Sequence, residues 1–198
     1  MKYILNLLLK IKAMIYYNRH YLLFYIDLKG IMPNFDKKIA SNMTFGYTTD
    51  VDHLSSLFPN KSKIKKTIED LFIDGYKCFS IYDKKSDLMG AIWLGFDKDH
   101  FEFFKTNKGF RIDPEEYFYI KLFVVKYNCK GKGYGTAMMQ MLLDTLTKDG
   151  FIKYISAQVY IKNAPSLSCF LKTGFQFYGI HFIKNYLGIK RNSQIILK

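Results

Sequence analysis

The feature that most constrains the fold is a glycine-rich turn between a strand-like run and a helical run. The segment from Val124 to Leu146 reads VVKYNCKGKGYGTAMMQMLLDTL. Gly131, Gly133 and Gly135 come directly before an amphipathic helix predicted over 136–148. Glycines let backbone N–H groups crowd around a ligand, and a helix N-terminus adds partial positive charge. The turn therefore predicts an anion-binding cradle that suits a pyrophosphate.

Two common phosphate-binding motifs do not fit this turn. A Walker A loop needs G-x-x-x-x-G-K-[ST], which is absent here. The dinucleotide fingerprint G-x-G-x-x-G needs a glycine where Thr136 stands, and it normally opens near the N-terminus. The same glycines would also suit a tight strand-to-helix turn that binds nothing. The pattern by itself leaves the ligand cradle and the purely structural turn open.

The pattern from residue 43 onwards predicts one α/β domain, with a single mixed central sheet and flanking helices. We divide the chain into an accessory helix and strand, residues 1–42, and this main domain, residues 43–198. The predicted elements are a strand at 43–48, helices at 50–57 and 61–74, hairpin strands at 77–82 and 88–96, a polar loop at 100–114, a strand at 117–125, a helix at 136–148, a strand at 154–160, a helix at 163–173, and strands within 175–184 and 190–197.

The first 42 residues begin with an apolar run, MKYILNLLLKIKAMIYY, in which Lys2, Asn6 and Lys10 share one helical stripe. A signal peptide, an interfacial membrane helix and a helix docked on its own domain or on a second copy are all compatible with it. Because a strand-like run at 20–28 follows and anchors the segment, the pattern favours docking. We expect that strand at a sheet edge.

Composition narrows the choice of partners. The net charge is +13, but only three of the 30 basic residues are arginine, the residue that base readout and phosphate clamping prefer. A nucleic-acid partner is therefore not favoured. Three cysteines without a C-x-x-C pair predict neither a disulfide scaffold nor a metal site, and they favour a cytoplasmic location.

Two stretches of the chain match a pair of motifs that occur together in one protein family. The stretch from Lys130 to Gly135 fits the pattern [Q/R]-x-x-G-x-[G/A], with lysine in the first place. Asn163-Ala164-Pro165 through Gly174-Phe175 fits a second pattern, in which an asparagine, a short helix and Gly-Phe follow one another. Together they resemble motifs A and B of the GNAT superfamily of acyl-CoA-dependent N-acyltransferases. The resemblance covers about three quarters of the chain, from residue 43 onwards, and leaves residues 1–42 unexplained.

The resemblance implies that acetyl-CoA (coenzyme A) binds with its pyrophosphate on the amides of the turn. Pantetheine would pair with the strand at 123–125, and Asn163 would hydrogen-bond the cofactor arm. The backbone N–H of Val125 is the expected donor to the thioester carbonyl, where negative charge develops. The expected cofactor-binding residues are Phe123, Val124, Val125, Lys130, Gly131, Lys132, Gly133, Tyr134, Gly135, Thr136, Asn163 and Phe170.

The chain departs from the family at both usual proton-handling positions. Phe170 stands where many members have a tyrosine that protonates the thiolate, and Tyr119 stands where some have a carboxylate base. Ser166 lies one turn before Phe170, and Tyr119 could relay a proton through water. The expected catalytic residues are therefore Val125, Tyr119 and Ser166. Further base candidates are Glu115, Glu116 and His181.

The resemblance implies an N-acetyltransferase that acts on a primary amine. The size of the chain is similar to that of members that acetylate nucleotide-linked amino sugars for surface polysaccharides, and this small-molecule acceptor is the expectation. Protein or peptide amines are the alternative acceptor. A non-catalytic basic module that binds phosphate, nucleic acid or a membrane surface is the alternative of another class. A homodimer is compatible with the apolar N-terminal segment, and peripheral membrane contact is not favoured.

Overall fold

A computed structural model describes residues 16–29, 42–108, 111–186 and 189–196. The strands are β1 (Tyr16–Asp27), β2 (Met43–Tyr47), β3 (Lys77–Asp83), β4 (Leu88–Gly95), β5 (Tyr117–Val125), β6 (Tyr154–Tyr160), β7 (Gln176–Tyr186) and β8 (Ile189–Ile196). The helices are α1 (Val51–Ser55), α2 (Lys61–Ile73), α3 (Lys98–Lys108), α4 (Tyr134–Asp149) and α5 (Ala164–Lys172).

Within these described ranges the strands form one sheet in the order β2-β3-β4-β5-β6-β1-β7-β8. Neighbouring strands are antiparallel, and β5 and β6 form the parallel pair. Helices α4 and α5 pack on one face of the sheet, and α1, α2 and α3 pack on the other. The predicted class, a single mixed sheet with flanking helices, is confirmed. None of the helices described is long and apolar enough to cross a membrane.

The N-terminal strand lies inside the sheet. β1 pairs with β6 on one side and with β7 on the other, so the expectation of a sheet edge was wrong. Leu23, Phe24 and Ile26 are at most 2% exposed, since they face the packed layers on both sides of the sheet. The boundary at residue 42 therefore separates residues that share one sheet. The predicted N-terminal helix falls outside the described residues, except that residues 16 and 17 already belong to β1.

Helix α3 replaces the polar loop that the sequence predicts at 100–114. Phe101 and Phe104, one turn apart, are 2% and 0% exposed beneath the sheet. Asp97 accepts a hydrogen bond from the backbone N–H of His100, which satisfies one of the open donors of the first helical turn. Packing of the two rings and this cap stabilise a helix whose remaining residues are mostly polar.

Strands β5 and β6 separate half-way along their length. Among the described residues, β5 pairs with β6 from Tyr117 to Ile120, opposite Tyr154 to Ala157. Beyond that point β5 continues to pair with β4, with a bulge at Lys121, while β6 pairs with β1. A split therefore opens in the middle of the sheet, and the second half of β5 has an unpaired edge facing it.

Candidate active site

A cleft of about 360 Å³ lies where β5, the following turn, α4 and α5 meet. Its lining contains eleven of the residues that the sequence predicts for the site. They are Phe123, Val124, Val125, Lys130, Gly131, Gly133, Tyr134, Gly135, Thr136, Asn163 and Ser166.

The floor of the cleft is the glycine-rich turn and the first turn of α4. Gly131 and Gly133 have backbone φ angles of +76° and +84°, which residues other than glycine rarely adopt. The amides of Lys130 and Lys132 donate to carbonyls within the loop, at 3.3 and 3.4 Å. The amides of residues 134–136 have no carbonyl one turn back inside the helix, and Gly133 provides no side-chain cap. These helix-terminal donors are the groups available to an anion.

Gly135 is required by close packing. A Cβ atom added there would lie 3.1 Å from Phe123 Cζ and 3.4 Å from Val125 Cγ2. The missing side chain lets the start of α4 approach β5, so the helix amides and the unpaired strand edge border the same cleft. The sequence motif thus encodes two requirements, positive φ at Gly131 and Gly133 and close approach at Gly135.

The register of β5 shows where its free backbone groups point. The N–H of Lys126 donates to the carbonyl of Met89, so these two residues form a hydrogen-bonded pair. Antiparallel pairs alternate between hydrogen-bonded and non-hydrogen-bonded types, which makes Gly90–Val125 a non-hydrogen-bonded pair. The N–H of Val125 therefore points away from β4 and into the split, and the same alternation applies to Phe123.

Helix α5 supplies the opposite wall of the cleft. The side chain of Asn163 caps this helix by accepting from the Ser166 backbone N–H at 3.3 Å. Ser166 is half-buried and borders the cleft. Five further residues line the cleft without having been predicted for the site from the sequence, namely Cys129, Pro165, Ser168, Cys169 and Lys172. Helical spacing from Asn163 onwards would have placed the last four on one face of α5.

Phe170, Lys132 and Tyr119 lie outside the lining of the cleft that the described residues form. Phe170 is 2% exposed and packs against Phe175, with ring centroids 4.8 Å apart, so a direct contact with a cofactor would require the core to open. Lys132 is exposed next to the turn. The side chain of Tyr119 lies on the opposite face of the sheet, among the residues packed beneath α3.

Cys169 is a buried cysteine of α5 that lines the cleft. Burial raises the pKa of its thiol to about 11, and a hydrogen bond from Thr136 offsets only part of this effect. The thiol is therefore protonated at neutral pH, which does not suit a nucleophile that would carry an acyl group. Its surroundings are those of a packed side chain at the base of α5.

The other base candidates lie apart from the cleft. Glu116 forms an ion pair with Lys153 at the start of β5, and Glu115 is exposed beside it. His181 is 8% exposed on β7, and its Nδ1 lies 3.1 Å from Gln158 Oε1. Gln158 follows the last residue of β6 that pairs with β5, and it pairs with Leu23, whereas His181 pairs with Tyr21. Because paired residues and alternate residues of a strand share a face, His181 flanks the split on the face opposite α4, where Leu23 is buried.

A family model described as Acetyltransferase (GNAT) family matches residues 49–175 of the chain. The match covers more than half of the chain and spans both motifs and the cleft. The chain belongs to the GNAT acetyltransferase family.

Solved structures share the fold at low sequence identity. A GCN5-related glucosamine N-acetyltransferase region of a fungal multi-domain β-N-acetylglucosaminidase matches with a TM-score of 0.64 and 11% identity, over 91% of this chain and 22% of that one. A tandem GNAT protein from the clavulanic acid biosynthesis pathway matches with a TM-score of 0.61 and 13% identity, over 87% and 55%. A GCN5-related N-acetyltransferase from Sphaerobacter thermophilus matches with a TM-score of 0.55 and 11% identity, over 94% and 58%.

The chain is shorter than these matched proteins. It covers 58%, 65% and 55% of the first three matched structures, so it spans between about half and two thirds of their length. No curated protein matches the sequence.

Proposed function

We propose that the protein transfers an acetyl group from acetyl-CoA to a primary amine. The observation that carries this proposal is that two groups of unpaired backbone N–H donors, one on a helix terminus and one on a strand edge, lie along the same cleft. The open amides at the start of α4 border the same cleft as the free edge of β5, where the N–H of Val125 points into the split. An anion joined to an extended chain fits such a surface, because the helix terminus binds the charge and the strand edge binds the chain.

The residues present suit acetyl-CoA as the acyl donor. The pyrophosphate would lie on the amides of residues 134–136, with Lys130 and Lys172 beside it. The N–H of Val125, fixed by the β4–β5 pairing, is free to bond the extended arm of acetyl-CoA, and that arm would carry the thioester along the free edge of β5 towards the base of the split. Asn163 caps α5 at the border of the cleft and is within its lining.

No tyrosine stands at position 170, so the hydroxyls that α5 offers to the cleft are those of Ser166, which is half-buried, and Ser168, which is exposed. A thiol has an ordinary pKa of about 8.5, so the departing thiolate of coenzyme A needs less help from an acid than an alkoxide would. We therefore assign Ser166 a hydrogen-bonding role towards the sulfur. Its loss is expected to reduce turnover without abolishing it.

We propose an amino sugar, carried on a nucleotide, as the acceptor. Tyr21 and Tyr160 have ring centroids 5.7 Å apart on the open side of the split, and Tyr119 lies at its base. Aromatic faces of this kind pack against the apolar face of a sugar ring. The similar fold of the fungal glucosamine N-acetyltransferase region is compatible with this acceptor class.

The first test is isothermal calorimetry with acetyl-CoA. We expect one site per chain, and absence of binding would overturn the proposal. Salt-dependent binding to DNA by the same protein would instead support the basic binding module.

The second test measures release of free coenzyme A from acetyl-CoA in the presence of three amines. These are glucosamine, a nucleoside-diphosphate-linked amino sugar and a short peptide with a free N-terminus and one lysine. We expect the nucleotide-linked sugar to give the highest kcat/KM. Preference for the peptide would replace the acceptor class while leaving the acetyl transfer in place.

A further inference from the structure

A second side-chain cluster lies on the face of the sheet opposite the cleft. Asp97, at the start of α3, accepts from the backbone N–H of His100 at 3.1 Å and lies 2.8 Å from His100 Nδ1. Its other oxygen accepts from Tyr76 Oη at 2.8 Å and from Lys121 Nζ at 3.1 Å. A carboxylate in this position holds the imidazole proton on Nδ1 and leaves Nε2 with a free lone pair when the ring is neutral.

The cluster lies at the base of the split. The His100 ring stacks on Tyr119 with centroids 3.8 Å apart and planes 19° apart. Tyr119 pairs with Ser156, and one residue further on β5 and β6 stop pairing. The side chain of His100 is 24% exposed, so solvent or a substrate can reach it.

We propose that His100, oriented by Asp97 and by its stack on Tyr119, accepts the proton that the acceptor amine loses. This inference rests on the proposed acetyl transfer. The ammonium form of the amine passes one proton to His100 Nε2, directly or through one water, and the free amine attacks the thioester carbon. The C–N bond forms as the C–S bond breaks, the second proton of the nitrogen ends on the thiolate, and His100 returns its proton to solvent.

The neighbours of His100 are poorer proton acceptors. Burial raises the pKa of Tyr119, and the charge of Asp97 raises it further, so this phenol stays protonated at neutral pH. Burial would also raise the pKa of Asp97, but the hydrogen bonds and charge of His100 and the hydrogen bond from Tyr76 outweigh it and lower that pKa. A carboxylate with a lowered pKa is a weak base, and its role is to position the ring.

The pH dependence of kcat is set by His100 together with the charged and titratable groups that face it. Asp97 precedes the helix that carries the ring, Tyr119 and Lys121 project from β5, and Tyr76 precedes β3. Tyr21 of β1 acts on Tyr119 from the far side of the split. Variants at His100 and at Asp97 therefore distinguish proton acceptance by the imidazole from the electrostatic effect of the charged groups around it.

The first experiment compares His100→Gln with the wild type, using acetyl-CoA and the fastest amine of the panel above. We expect kcat to fall about 100-fold, with acetyl-CoA affinity by calorimetry unchanged. In the wild type, kcat should rise with pH along an acidic limb, and the variant should lose that limb. Unchanged kcat, or an acidic limb that persists in the variant, would overturn the proposal.

His53→Gln is the matched control. His53 is also half-buried and also contacts a tyrosine, Tyr82, with ring centroids 5.8 Å apart, but it lies on α1 away from the split. We expect wild-type kinetics from this variant. An equal loss of kcat in both variants would show a general effect of removing a helix-borne histidine and would overturn the assignment.

A spectroscopic measurement does not depend on turnover. Nitrogen-15 NMR of the imidazole should show neutral His100 protonated on Nδ1, and Asp97→Asn should weaken this preference and lower kcat at least 10-fold while asparagine keeps the helix cap. Neutral His100 protonated on Nε2 in the wild type would overturn the proposal even if acetyl-CoA binds. Acetyl-CoA that fails to bind the wild type would overturn the proposed function instead.

Discussion

The two faces of the split are built in different ways. On the α4 face, the groups offered to a ligand are mostly backbone amides, held by a continuous stretch from β5 through the glycine turn. On the opposite face they are side chains from β1, α3 and β5, together with Tyr76, brought together across about a hundred residues of sequence. A binding site made of backbone groups is therefore determined by a short stretch of local sequence, whereas a side-chain cluster forms only when the tertiary fold brings distant residues together.

The largest effect on acetyl-CoA binding should come from changing the glycine-rich turn on the α4 face. Gly133→Glu combines a left-handed φ of +84° with a carboxylate beside the open amides of α4. We expect acetyl-CoA binding to disappear in calorimetry, because strain and like-charge repulsion act on the same turn.

Gly150→Glu is the control for this variant, since Gly150 has φ +72° at the other end of the same helix and an added Cβ meets nothing within 4 Å. It should bind acetyl-CoA normally despite a similar backbone strain. If both variants lose binding equally, the cradle is not specific.

The next effect tests close approach rather than charge. Gly135→Val would force its branched side chain into the 3.1 Å space next to Phe123 and separate α4 from β5. We expect acetyl-CoA affinity to fall roughly 10- to 100-fold, about 1.4 to 2.7 kcal/mol. Gly46→Val in β2, where an added Cβ meets nothing within 4 Å, should leave affinity unchanged. Equal affinity for all three proteins would show that the helix–strand spacing does not shape the cleft.

The α4 face of the split can be predicted from the sequence better than the opposite face, because it is built from local sequence patterns. The turn at 130–136, the helix after it and the short helix predicted at 163–173 are short-range patterns, and all of them appear in the fold. The Asp97–His100 pair was missed because the segment was predicted as a loop. Its helix depends on burial of Phe101 and Phe104 under distant strands. Likewise, nothing in residues 20–28 indicates that their partners are β6 and β7.

Because the side-chain cluster on the face opposite α4 joins distant parts of the chain, changing it should lower the free energy of unfolding. Asp97→Asn removes a carboxylate that accepts from Tyr76, Lys121 and His100, and we expect unfolding free energy at pH 6.5 to fall by about 1.5 to 3 kcal/mol. Because the folded pKa of Asp97 is lowered, its stabilisation is full above the ordinary aspartate pKa of about 3.9 and is lost as pH falls below it.

Urea unfolding at pH 6.5 and pH 3 therefore checks both size and sign, and the gap between wild type and Asp97→Asn should shrink at the lower pH. Asp144→Asn is the comparison, because Asp144 makes an ion pair with Lys148 one turn away on the surface of α4. That pair is worth about 0.3 to 0.5 kcal/mol. A gap at Asp97 that stays constant with pH would contradict the assignment of the carboxylate as the stabilising group.

The smallest effect concerns the lysines around the cradle. Lys172 lines the cleft, whereas Lys132 is exposed outside its lining. Exposed charges in water contribute about 1 kcal/mol or less and are screened by salt. We therefore expect Lys172→Ala to weaken acetyl-CoA binding about three- to fivefold at low salt and Lys132→Ala less than twofold, with both differences smaller at 0.5 M salt. Lys148→Ala, at the far end of α4, should have no effect. If Lys132→Ala has the larger effect, the phosphates lie outside the cleft, over the exposed side of the turn, and the backbone amides of α4 are not their main ligands.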